Sequence, residues 1–524
     1  MDRSETAAKV CALVIVALAT GVAVRHNIFT AWGADSAAYV HAGQRWARGD
    51  LFVPAEFVFW APWSLDGEVD SPLGHRPGPT KGTIVGMYPL GYPLLIAAAI
   101  RIGGDLGPFV VAPLCLGLLT WCAFLLASQL SGSWAGVMAS ALVASNPVAL
   151  LHATQHMSDV PAAALWAAAW VFARYARTSA AASAGIAVSG AIMIRPNLAP
   201  LGIVIAALVL TPRTPARWFI RLLVFVACAS LGPAILLWSQ AALYGHALSP
   251  GYPGFEDFFR VSRIPQNAGM YLSLISHLHT PLLFAGLFMV PWSIRTAWRN
   301  PASTSMAVAL AALGLIGINY ALYLPYLTYD DWYALRFLLP ALTACYVLFA
   351  GLVDGMRRAL ARRSRWLAAL TIVPLAIVLL PIRDEVKFVI DTTPGYRRVQ
   401  LMGPYLREAL PPNAVVLAYL ASGAAMLHTG KPIVRLDLIE PAALDRVIDD
   451  LRRRRHRPLL LIDDVLESRA FRARFERSQY GRLDWRERAK FVGPTEIWLM
   501  DPQDRPRYYS KEAWPVDVLR WETN

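Results

Sequence analysis

Charged residues are scarce in this sequence, and so are cysteines. Lys, Arg, Asp and Glu together make up 16% of the 524 residues, whereas an average soluble protein has about 25%. With 56% hydrophobic residues, this shortage argues against a chain that lies wholly in water. The five cysteines all fall inside apolar runs and none shows C-x-x-C spacing, so we expect neither disulfides nor thiolate metal sites.

The net charge of +13 is not the mark of a nucleic-acid-binding protein. Much of it lies in short loops between apolar runs, where Lys and Arg set the orientation of a membrane protein. We therefore expect the lipid bilayer, and no nucleic acid, as a partner.

Two parts of the chain differ in charge density. Apolar runs with short polar breaks extend to about residue 382, and after that Arg and Asp or Glu alternate to the end. We predict a mainly α-helical, polytopic membrane domain over residues 1–382 and a soluble α/β domain over residues 383–524. The first apolar run is not followed by an A-x-A cleavage site, which favours an uncleaved first span over a signal peptide.

About eleven apolar runs are predicted to cross the membrane, since a span needs about 20 residues. The two runs near 181–211 are short and suggest spans that are tilted or broken around Arg195-Pro196-Asn197. Residues 88–102 are apolar but only about 15 long, so we predict a re-entrant or interfacial helix there. The predicted spans are roughly 9–24, 107–128, 133–151, 161–177, 181–194, 197–211, 218–241, 281–294, 302–328, 336–355 and 366–382.

The positions of the arginines predict the orientation of these spans. With a cytoplasmic N-terminus, the inner loops are 174–177, 213–221, 295–299 and 357–365, and each of them carries arginines, which is a consistent positive-inside pattern. The outer segments are then 25–87, 152–160, 195–197, 242–280 and 329–335, together with the soluble domain. We expect a protein of the bacterial inner membrane with its site outside the cytoplasm, provided that 88–102 does not span.

Asp35 stands about ten residues past the first apolar run, at the start of a long polar loop. If residues 35–48 are helical, Ala38, His41 and Arg45 share one face of that helix. Asp35 is then either a helix cap or a carboxylate placed just outside the bilayer for chemistry on a lipid-linked substrate. The local sequence leaves both interpretations open.

His156 and Asp159 precede an Ala-rich span in the second outer segment. Ser158 or Asp159 can cap the helix that follows, and Pro161 suits its first turn. The predicted topology nevertheless places Asp159 on the same side of the membrane as Asp35, which capping does not require. Carboxylates in this setting can also hold a divalent ion, with or without His156.

Two arginines occupy unusual positions. Arg195 interrupts an apolar stretch of about 30 residues, where a charge costs several kcal/mol unless it is paired or reaches water. Arg336 opens a late span from the outer side, against the usual cytoplasmic bias. Each guanidinium can bind a phosphate through two hydrogen bonds. The alternatives are a structural ion pair of Arg195 with an aspartate and a lipid-headgroup contact of Arg336.

Two carboxylates and two arginines on one side of a membrane match a set of catalytic roles. A carboxylate can take the proton from an acceptor hydroxyl as that hydroxyl attacks a sugar. Arginines can stabilise the negative charge that grows on a departing phosphate.

Five motifs, taken in order, resemble those of the GT-C superfamily of polytopic glycosyltransferases. The likeness is strongest to the protein O-mannosyltransferases and the lipid A aminoarabinose transferase, and it covers roughly residues 9–355. The chain has no W-W-D-like motif of the oligosaccharyltransferases, which argues against en bloc transfer to asparagine. The five motifs are Asp35 with Tyr39, Tyr88-Pro89-Leu90-Gly91-Tyr92-Pro93, Ser158-Asp159-Val160-Pro161, Arg195-Pro196-Asn197 and Arg336-Phe337-Leu338-Leu339-Pro340.

The resemblance implies inverting transfer of a single sugar from a polyprenyl-phosphate donor to an acceptor hydroxyl on the outer side. Asp35 would be the base, and a divalent metal ion held by Asp35, Asp159 or His156 would be an optional cofactor. The rival interpretation is a polytopic transporter or lipid flippase, although such proteins often show internal repeats and none is evident here. The residues implied to bind substrate are Asp159, His156, Tyr39, Tyr88, Arg195 and Arg336.

Residues 383–524 alternate short apolar runs with charged helical segments, which is an α/β pattern. We expect an auxiliary domain that positions an acceptor or covers the site, and no residue in it suggests catalysis. The predicted strands are Ala414–Tyr419, Pro432–Leu436, Pro458–Ile462 and Glu496–Met500, and the predicted helices are 441–455 and 464–478.

Overall fold

The computed structural model describes residues 3–54, 63, 67–211, 217–252, 255–300 and 304–521. Parts of the predicted inner loop 213–221 and of the predicted span 302–328 lie outside these residues. Helices dominate the chain up to residue 409, and a six-stranded sheet follows, so the predicted fold class is confirmed. The helices are α1 (Arg3–Arg25), α2 (Ala34–Arg48), α3 (Gly91–Gly103), α4 (Gly107–Ser131), α5 (Ser133–Ala144), α6 (Pro147–Thr154), α7 (Asp159–Ala173), α8 (Thr178–Ile194), α9 (Gly202–Leu210), α10 (Trp218–Tyr244), α11 (Phe255–Phe258), α12 (Ile264–His279), α13 (Met289–Arg299), α14 (Ser305–Tyr323), α15 (Leu339–Ala361), α16 (Arg365–Ala369), α17 (Ile372–Leu379), α18 (Ile382–Thr392) and α19 (Arg398–Ala409).

In the part of the chain that the structure describes, five helical segments are long and apolar enough to cross a membrane, or up to eight if each bent pair counts as one span. Three shorter apolar helices, α7, α8 and Pro196–Leu210, accompany them. The helical segment Trp332–Ala361, which contains α15, is central, because 94% of the residues in its most apolar stretch are buried. In α1 and in α10, only 22% of the residues in the corresponding stretch are buried. Their exposed Val and Leu side chains suit a periphery in contact with lipid.

The predicted break near Arg195 is present. Helix α8 ends at Ile194, a short 3-10 helix runs from Pro196 to Leu201, and α9 follows. The cause is local, because a residue that precedes proline is pushed out of the α region, and Arg195 has φ −138° and ψ 87°. The backbone at Arg195 therefore leaves the helix inside the apolar stretch.

Three other predicted spans are less regular than the apolar pattern indicates. The span 133–151 is bent by 56° between α5 and α6, the run 281–294 meets α12 at 98°, and the run 366–382 is divided between α16 and α17. Asn146 explains the first bend, because its side-chain oxygen accepts hydrogen bonds from the backbone N–H groups of Val148 and Ala149. These bonds cap a new helix, α6, that begins at Pro147.

The predicted re-entrant or interfacial helix corresponds to α3. Its 13 residues rise about 20 Å, less than the roughly 30 Å of a bilayer core. Helix α3 packs against α2, α4 and the end of α8, and a Cβ at Gly91 would meet the Met193 backbone at 2.5 Å. The helix ends at Gly103, and the φ of +61° at Gly104 turns the chain towards α4. Helix α3 thus braces α2 from one side.

A small antiparallel sheet lies in the long segment between α2 and α3. It comprises β1 (Val53–Pro54), β2 (His75–Pro77) and β3 (Thr83–Gly86) in the order β1-β3-β2. Its strands have only two to four residues, too few for the sequence pattern to predict them. It leads directly to Tyr88.

The C-terminal sheet has the order β5-β4-β6-β8-β7-β9. All four predicted strands are confirmed, as β4, β5, β6 and β8, whereas β7 and β9 were missed. The predicted helix 464–478 was too long, because only Ser468–Arg474 is helical. The elements are β4 (Ala414–Ala418), α20 (Ser422–Thr429), β5 (Ile433–Arg435), α21 (Leu444–Arg453), β6 (Arg457–Asp463), α22 (Ser468–Arg474), β7 (Ala489–Val492), β8 (Glu496–Met500), α23 (Asp504–Tyr509) and β9 (Asp517–Arg520).

The C-terminal sheet region packs directly on the segment that leads into α2. His428 in α20 is hydrogen bonded to Thr30 (3.0 Å), and Arg397 donates to the Asn27 carbonyl (2.9 Å). At the start of α20, a Cβ on Gly423 would lie 3.0 Å from the Ala37 side chain. The chain on both sides of Asp35 is therefore held by the C-terminal region.

Candidate active site

Asp35 is the second residue of α2, but it does not cap the helix. The N-cap position is Gly33, whose φ of +80° favours glycine, and no side chain makes a capping hydrogen bond. The Asp35 carboxylate instead accepts a 2.5 Å hydrogen bond from the Tyr88 hydroxyl and lies 3.6 Å from a guanidinium nitrogen of Arg336. Its side chain is 30% exposed, so an incoming molecule can reach it.

Tyr88 and Tyr39 lie between Asp35 and the segment that precedes α7. Burial, and after it the charge of Asp35, raises the pKa of Tyr88 well above its usual value, so its hydroxyl remains a proton donor at neutral pH. The Tyr39 ring lies 4.8 Å from that of Tyr88, and its hydroxyl is hydrogen bonded to Ser158 at 3.0 Å. The two tyrosines thereby connect α2 to the segment that precedes α7.

Asp159 opens α7 and is buried in an ion pair with Arg195. The two side chains are 2.6 Å apart, and their exposed fractions are 0% and 15%. Arg195 also donates to the Tyr323 hydroxyl at 3.1 Å, and Asn197 donates to the same hydroxyl at 2.7 Å. The proline-induced break after α8 is what brings this guanidinium to the start of α7.

Arg336 lies in the 3-10 helix Trp332–Leu338 that precedes α15. Its guanidinium is 4.9 Å from the ring of Phe337, and the guanidinium of Arg195 is 5.6 Å from the same ring. One aromatic ring therefore supports two positive charges, each of which is paired with one carboxylate. Such cation–π contacts stabilise guanidinium groups that have lost much of their water.

The structure thus gathers six of the seven predicted site residues into one cluster, which we call the Asp/Arg cluster. The carboxylates and guanidiniums balance each other in charge, and tyrosine hydroxyls supply further hydrogen bonds. This arrangement can bind an anion at the guanidiniums and can accept a proton at a carboxylate. The cluster comprises Asp35, Tyr39, Tyr88, Asp159, Arg195 and Arg336.

His156 is the predicted residue whose side chain turns elsewhere. Its ring is buried 4.8 Å from the ring of Phe109, and its backbone has φ +58°. His152, near the end of α6, is instead the histidine that lies near Asp159. Turning the chain at His156 directs its ring away from the carboxylates.

Each of the three predicted metal ligands faces a group other than a second predicted ligand. Asp35 and Asp159 each face a guanidinium, and His156 faces Phe109. Across the described ranges, no three His, Cys, Asp or Glu side chains are grouped so as to hold a metal ion. The positive charge opposite the carboxylates is supplied by arginine.

Sequence reasoning missed the tyrosines that close the cluster on the far side. The Tyr323 ring stacks on Phe337 at 5.0 Å, Tyr326 meets the edge of that ring at 5.0 Å, and Tyr252 lies 5.6 Å from Tyr88. A signal was present for two of them, since Tyr320, Tyr323, Tyr326 and Tyr329 recur every three residues before Arg336. No comparable pattern marks Tyr252.

Comparisons with known proteins support the fold. No family model and no curated protein sequence matches the chain. Solved structures do: ArnT from Cupriavidus metallidurans without ligand has a TM-score of 0.56 at 12% identity, over 94% of this chain and 98% of that one. The archaeal oligosaccharyltransferase AglB from Archaeoglobus fulgidus, in complex with an inhibitory peptide and a dolichol-phosphate, has a TM-score of 0.54 at 11% identity, over 88% and 70%.

A second ArnT structure from the same organism, bound to undecaprenyl phosphate, has a TM-score of 0.53 at 12% identity and covers 93% of this chain and 97% of that one. These neighbours are GT-C glycosyltransferases. The chain therefore has the GT-C fold, and the fold implied by the resemblance of its motifs is confirmed.

Proposed function

We propose that this protein is a membrane glycosyltransferase that moves one sugar from a polyprenyl-phosphate donor to an acceptor hydroxyl. The observation that carries the proposal is the Asp/Arg cluster itself. Its charged residues come from positions 35, 159, 195 and 336, yet ion pairs of 2.6 and 3.6 Å and one shared aromatic ring connect them. Structural support of the fold does not require two buried arginines on a single phenylalanine.

Asp35 is the base in this proposal. It is the more exposed of the two carboxylates, at 30% against 0% for Asp159, and the Tyr88 hydroxyl holds it in place. As the acceptor oxygen bonds to the anomeric carbon, its proton passes to Asp35. The bond between that carbon and the phosphate oxygen breaks, and polyprenyl phosphate leaves with the electron pair. Direct displacement inverts the anomeric configuration.

Arg195 and Arg336 bind the donor phosphate in this proposal. Guanidiniums form charge-assisted, bidentate hydrogen bonds with phosphate, and they stabilise the charge that develops on the leaving group. Each guanidinium already faces a carboxylate, so the arriving phosphate competes with Asp159 and Asp35 for them. Asp159 then orients Arg195, and Tyr39 positions Ser158 beside it.

The lipid class of the donor is proposed from the neighbours with the same fold. One ArnT structure contains undecaprenyl phosphate and the AglB structure contains a dolichol-phosphate. Donors of this kind lie in the bilayer, which fits a cluster framed by apolar helices. From the arginine pattern of the loops, we place the cluster on the outer side of a bacterial inner membrane.

The test is a transfer assay with the full-length protein in lipid nanodiscs. A panel of polyprenyl-phosphate sugars is offered with a membrane extract as acceptor, and release of polyprenyl phosphate is measured. We expect Asp35→Asn to lower turnover by about 10²–10⁴-fold, the usual contribution of a general base. Asp105→Asn, which changes an exposed aspartate, is the matched control and should retain full turnover.

Full turnover by Asp35→Asn would remove the catalytic assignment. Movement of a lipid across the bilayer without sugar transfer would favour the transporter or flippase instead. A chelator arm tests the metal prediction separately, since loss of turnover that added Mg²⁺ restores would show a metal site that forms only with bound substrate.

A further inference from the structure

A cleft lies beside the Asp/Arg cluster, and none of the cluster's charged residues lines it. It has a volume of about 380 Å³ and is formed by one face of α12 together with the segment 327–330. Sites for small ligands occupy about 300–1,000 Å³, so the cleft is large enough for a sugar. Several of its lining residues are exposed, including Gln266, Ser273 and Asp330, and it therefore opens to solvent.

The cleft is held open by a buried amide. Asn267 in α12 is 3% exposed, and its side-chain nitrogen donates to the carbonyls of Leu324 and Tyr326 at 2.7 and 2.8 Å. These bonds fix α12 at a set distance from the chain that follows α14. The cleft is thus part of the folded structure and does not depend on a ligand for its shape.

The lining groups are polar but balanced in charge. Arg263 and Asp330 contribute one charge of each sign, and Gln266 and Ser273 offer both donors and acceptors. The buried Thr328 hydroxyl lies near that of Tyr271 at the edge of the cleft.

The cleft and the Asp/Arg cluster share one segment of chain. Leu327, Thr328 and Asp330 line the cleft, while the neighbouring Tyr326 packs 5.0 Å from Phe337, the ring beneath both guanidiniums. Tyr329 lies close enough to Arg336 for that charge to lower the pKa of the phenol, although burial is the larger effect and raises it to about 12. A molecule in the cleft is therefore separated from the reaction centre by one layer of side chains.

We propose that this cleft binds the acceptor, and that the acceptor is a neutral carbohydrate. The inference rests on the proposed glycosyl transfer and adds the class of the acceptor to it. Balanced charges offer no net attraction to a strongly anionic or cationic ligand, whereas closely spaced donors and acceptors match a ligand with many hydroxyl groups. In this proposal an acceptor longer than one sugar occupies the cleft with one part, and a hydroxyl of another part, beyond that layer of side chains, reaches Asp35.

A large side chain introduced at Gly269 would fill the cleft. It lines the cleft on α12, and a Cβ built there meets no atom within 4 Å, so Gly269→Phe places a ring in the free space without a backbone clash. Ser273→Trp fills the same space from one helical turn further along. Gly269→Ala is the small control, and Gly317→Phe is the matched control, because Gly317 on α14 is also open to a Cβ and lies outside the cleft.

The experiment measures the binding of full-length protein in nanodiscs to an array of immobilised neutral glycans and, separately, to undecaprenyl phosphate. We expect the wild type, Gly269→Ala and Gly317→Phe to bind a common set of glycans, and both filling variants to bind them at least tenfold more weakly. Undecaprenyl phosphate should bind equally well to all five proteins.

A wild type that binds no glycan, or filling variants that bind glycans normally, would overturn the assignment. Failure of the wild type to bind undecaprenyl phosphate would count against the proposed donor alone. The two proposals therefore fail in different measurements.

Discussion

The guanidinium of Arg195 lies 2.6 Å from the carboxylate of Asp159, and the carboxylate is fully buried. Removing one partner of a buried pair leaves an uncompensated charge, which typically costs 3–5 kcal/mol. The pair therefore holds the break after α8 against the start of α7. It also keeps the guanidinium oriented until a phosphate arrives.

This pair predicts opposite effects for its two members on phosphate binding. Arg195→Gln removes charge-assisted hydrogen bonds worth about 1.5–3 kcal/mol, so we expect undecaprenyl phosphate to bind at least tenfold more weakly. Asp159→Asn keeps the shape of the side chain but no longer competes for the guanidinium, and affinity should rise. Titration of undecaprenyl phosphate into nanodiscs measures both, with Arg101→Gln, an exposed arginine of α3, as the control. A fall in affinity for both variants would contradict the proposed competition.

Tyr88 predicts a loss of catalytic rate. Its hydroxyl donates a 2.5 Å hydrogen bond to Asp35, and a bond to a charged group contributes about 1.5 kcal/mol or more. We expect Tyr88→Phe to lower kcat about tenfold, because the base loses its orientation, with a smaller change in KM. Steady-state kinetics with the preferred donor measure the split.

Tyr92→Phe is the matched control for that experiment. Its ring lies 5.1 Å from Tyr39 in the same aromatic group, and its buried hydroxyl has no hydrogen-bond partner among the described residues. Loss of such a hydroxyl should not slow the reaction. If both variants were equally slow, the effect would belong to aromatic packing and not to the bond with Asp35.

Much of the fold and of the Asp/Arg cluster could be predicted from the sequence. Contact with lipid requires long apolar helices, and a charged residue within such a helix is easy to recognise. Arg195 stands out in an apolar stretch, and the proline after it predicts the break that was found. The direction of the His156 ring could not be predicted, since it depends on a positive φ and on Phe109, which is 47 residues away in the sequence. The cleft beside α12 was equally hidden, because its shape depends on contacts of one buried amide with a distant segment.

Strands β7 and β9 escaped prediction for a related reason. They have four residues each, and β9 is mostly exposed at the edge of the sheet, so alternation of apolar and polar residues is weak there. Their pairing is set by contacts between distant parts of the chain. Strand β4 was visible because all five of its residues are buried, as expected for a parallel strand covered on both faces.

Docking of the C-terminal sheet region predicts an effect of Gly423 on activity. A Cβ at this position would lie 3.0 Å from the Ala37 side chain and 3.2 Å from the Leu73 carbonyl, and Ala37 is two residues from Asp35. We expect Gly423→Leu to separate α20 from α2 and to lower turnover at least tenfold, because the start of α2, which carries the base, is no longer held. Far-UV circular dichroism and limited proteolysis should show an intact fold. Normal turnover would mean that the contact does not position Asp35.

Glu467 predicts a pH dependence in the stability of the C-terminal sheet region. Burial raises the pKa of Glu467 to about 7, and the charges of Asp463 and Asp437 add to this effect. Hydrogen bonds from the backbone N–H groups of Asp463 and Leu420 oppose it. The ordinary value is 4.5, so between these two pH values the folded protein holds a proton that the unfolded chain has lost. Stability from this residue is therefore complete below about pH 4.5 and disappears as pH rises through 7.

The difference of about 2.5 between these two pKa values corresponds to about 3 kcal/mol of folding stability. Hydrogen–deuterium exchange of β4 and β6, corrected for the intrinsic exchange rate, should show protection that falls between pH 5 and pH 8. Glu467→Gln, which resembles the protonated acid, should abolish most of that fall, whereas Glu476→Gln at an exposed position should leave it unchanged. Protection that rises with pH in the wild type would show that Glu467 is ionised in the folded protein, because its two backbone hydrogen bonds then outweigh the cost of burial.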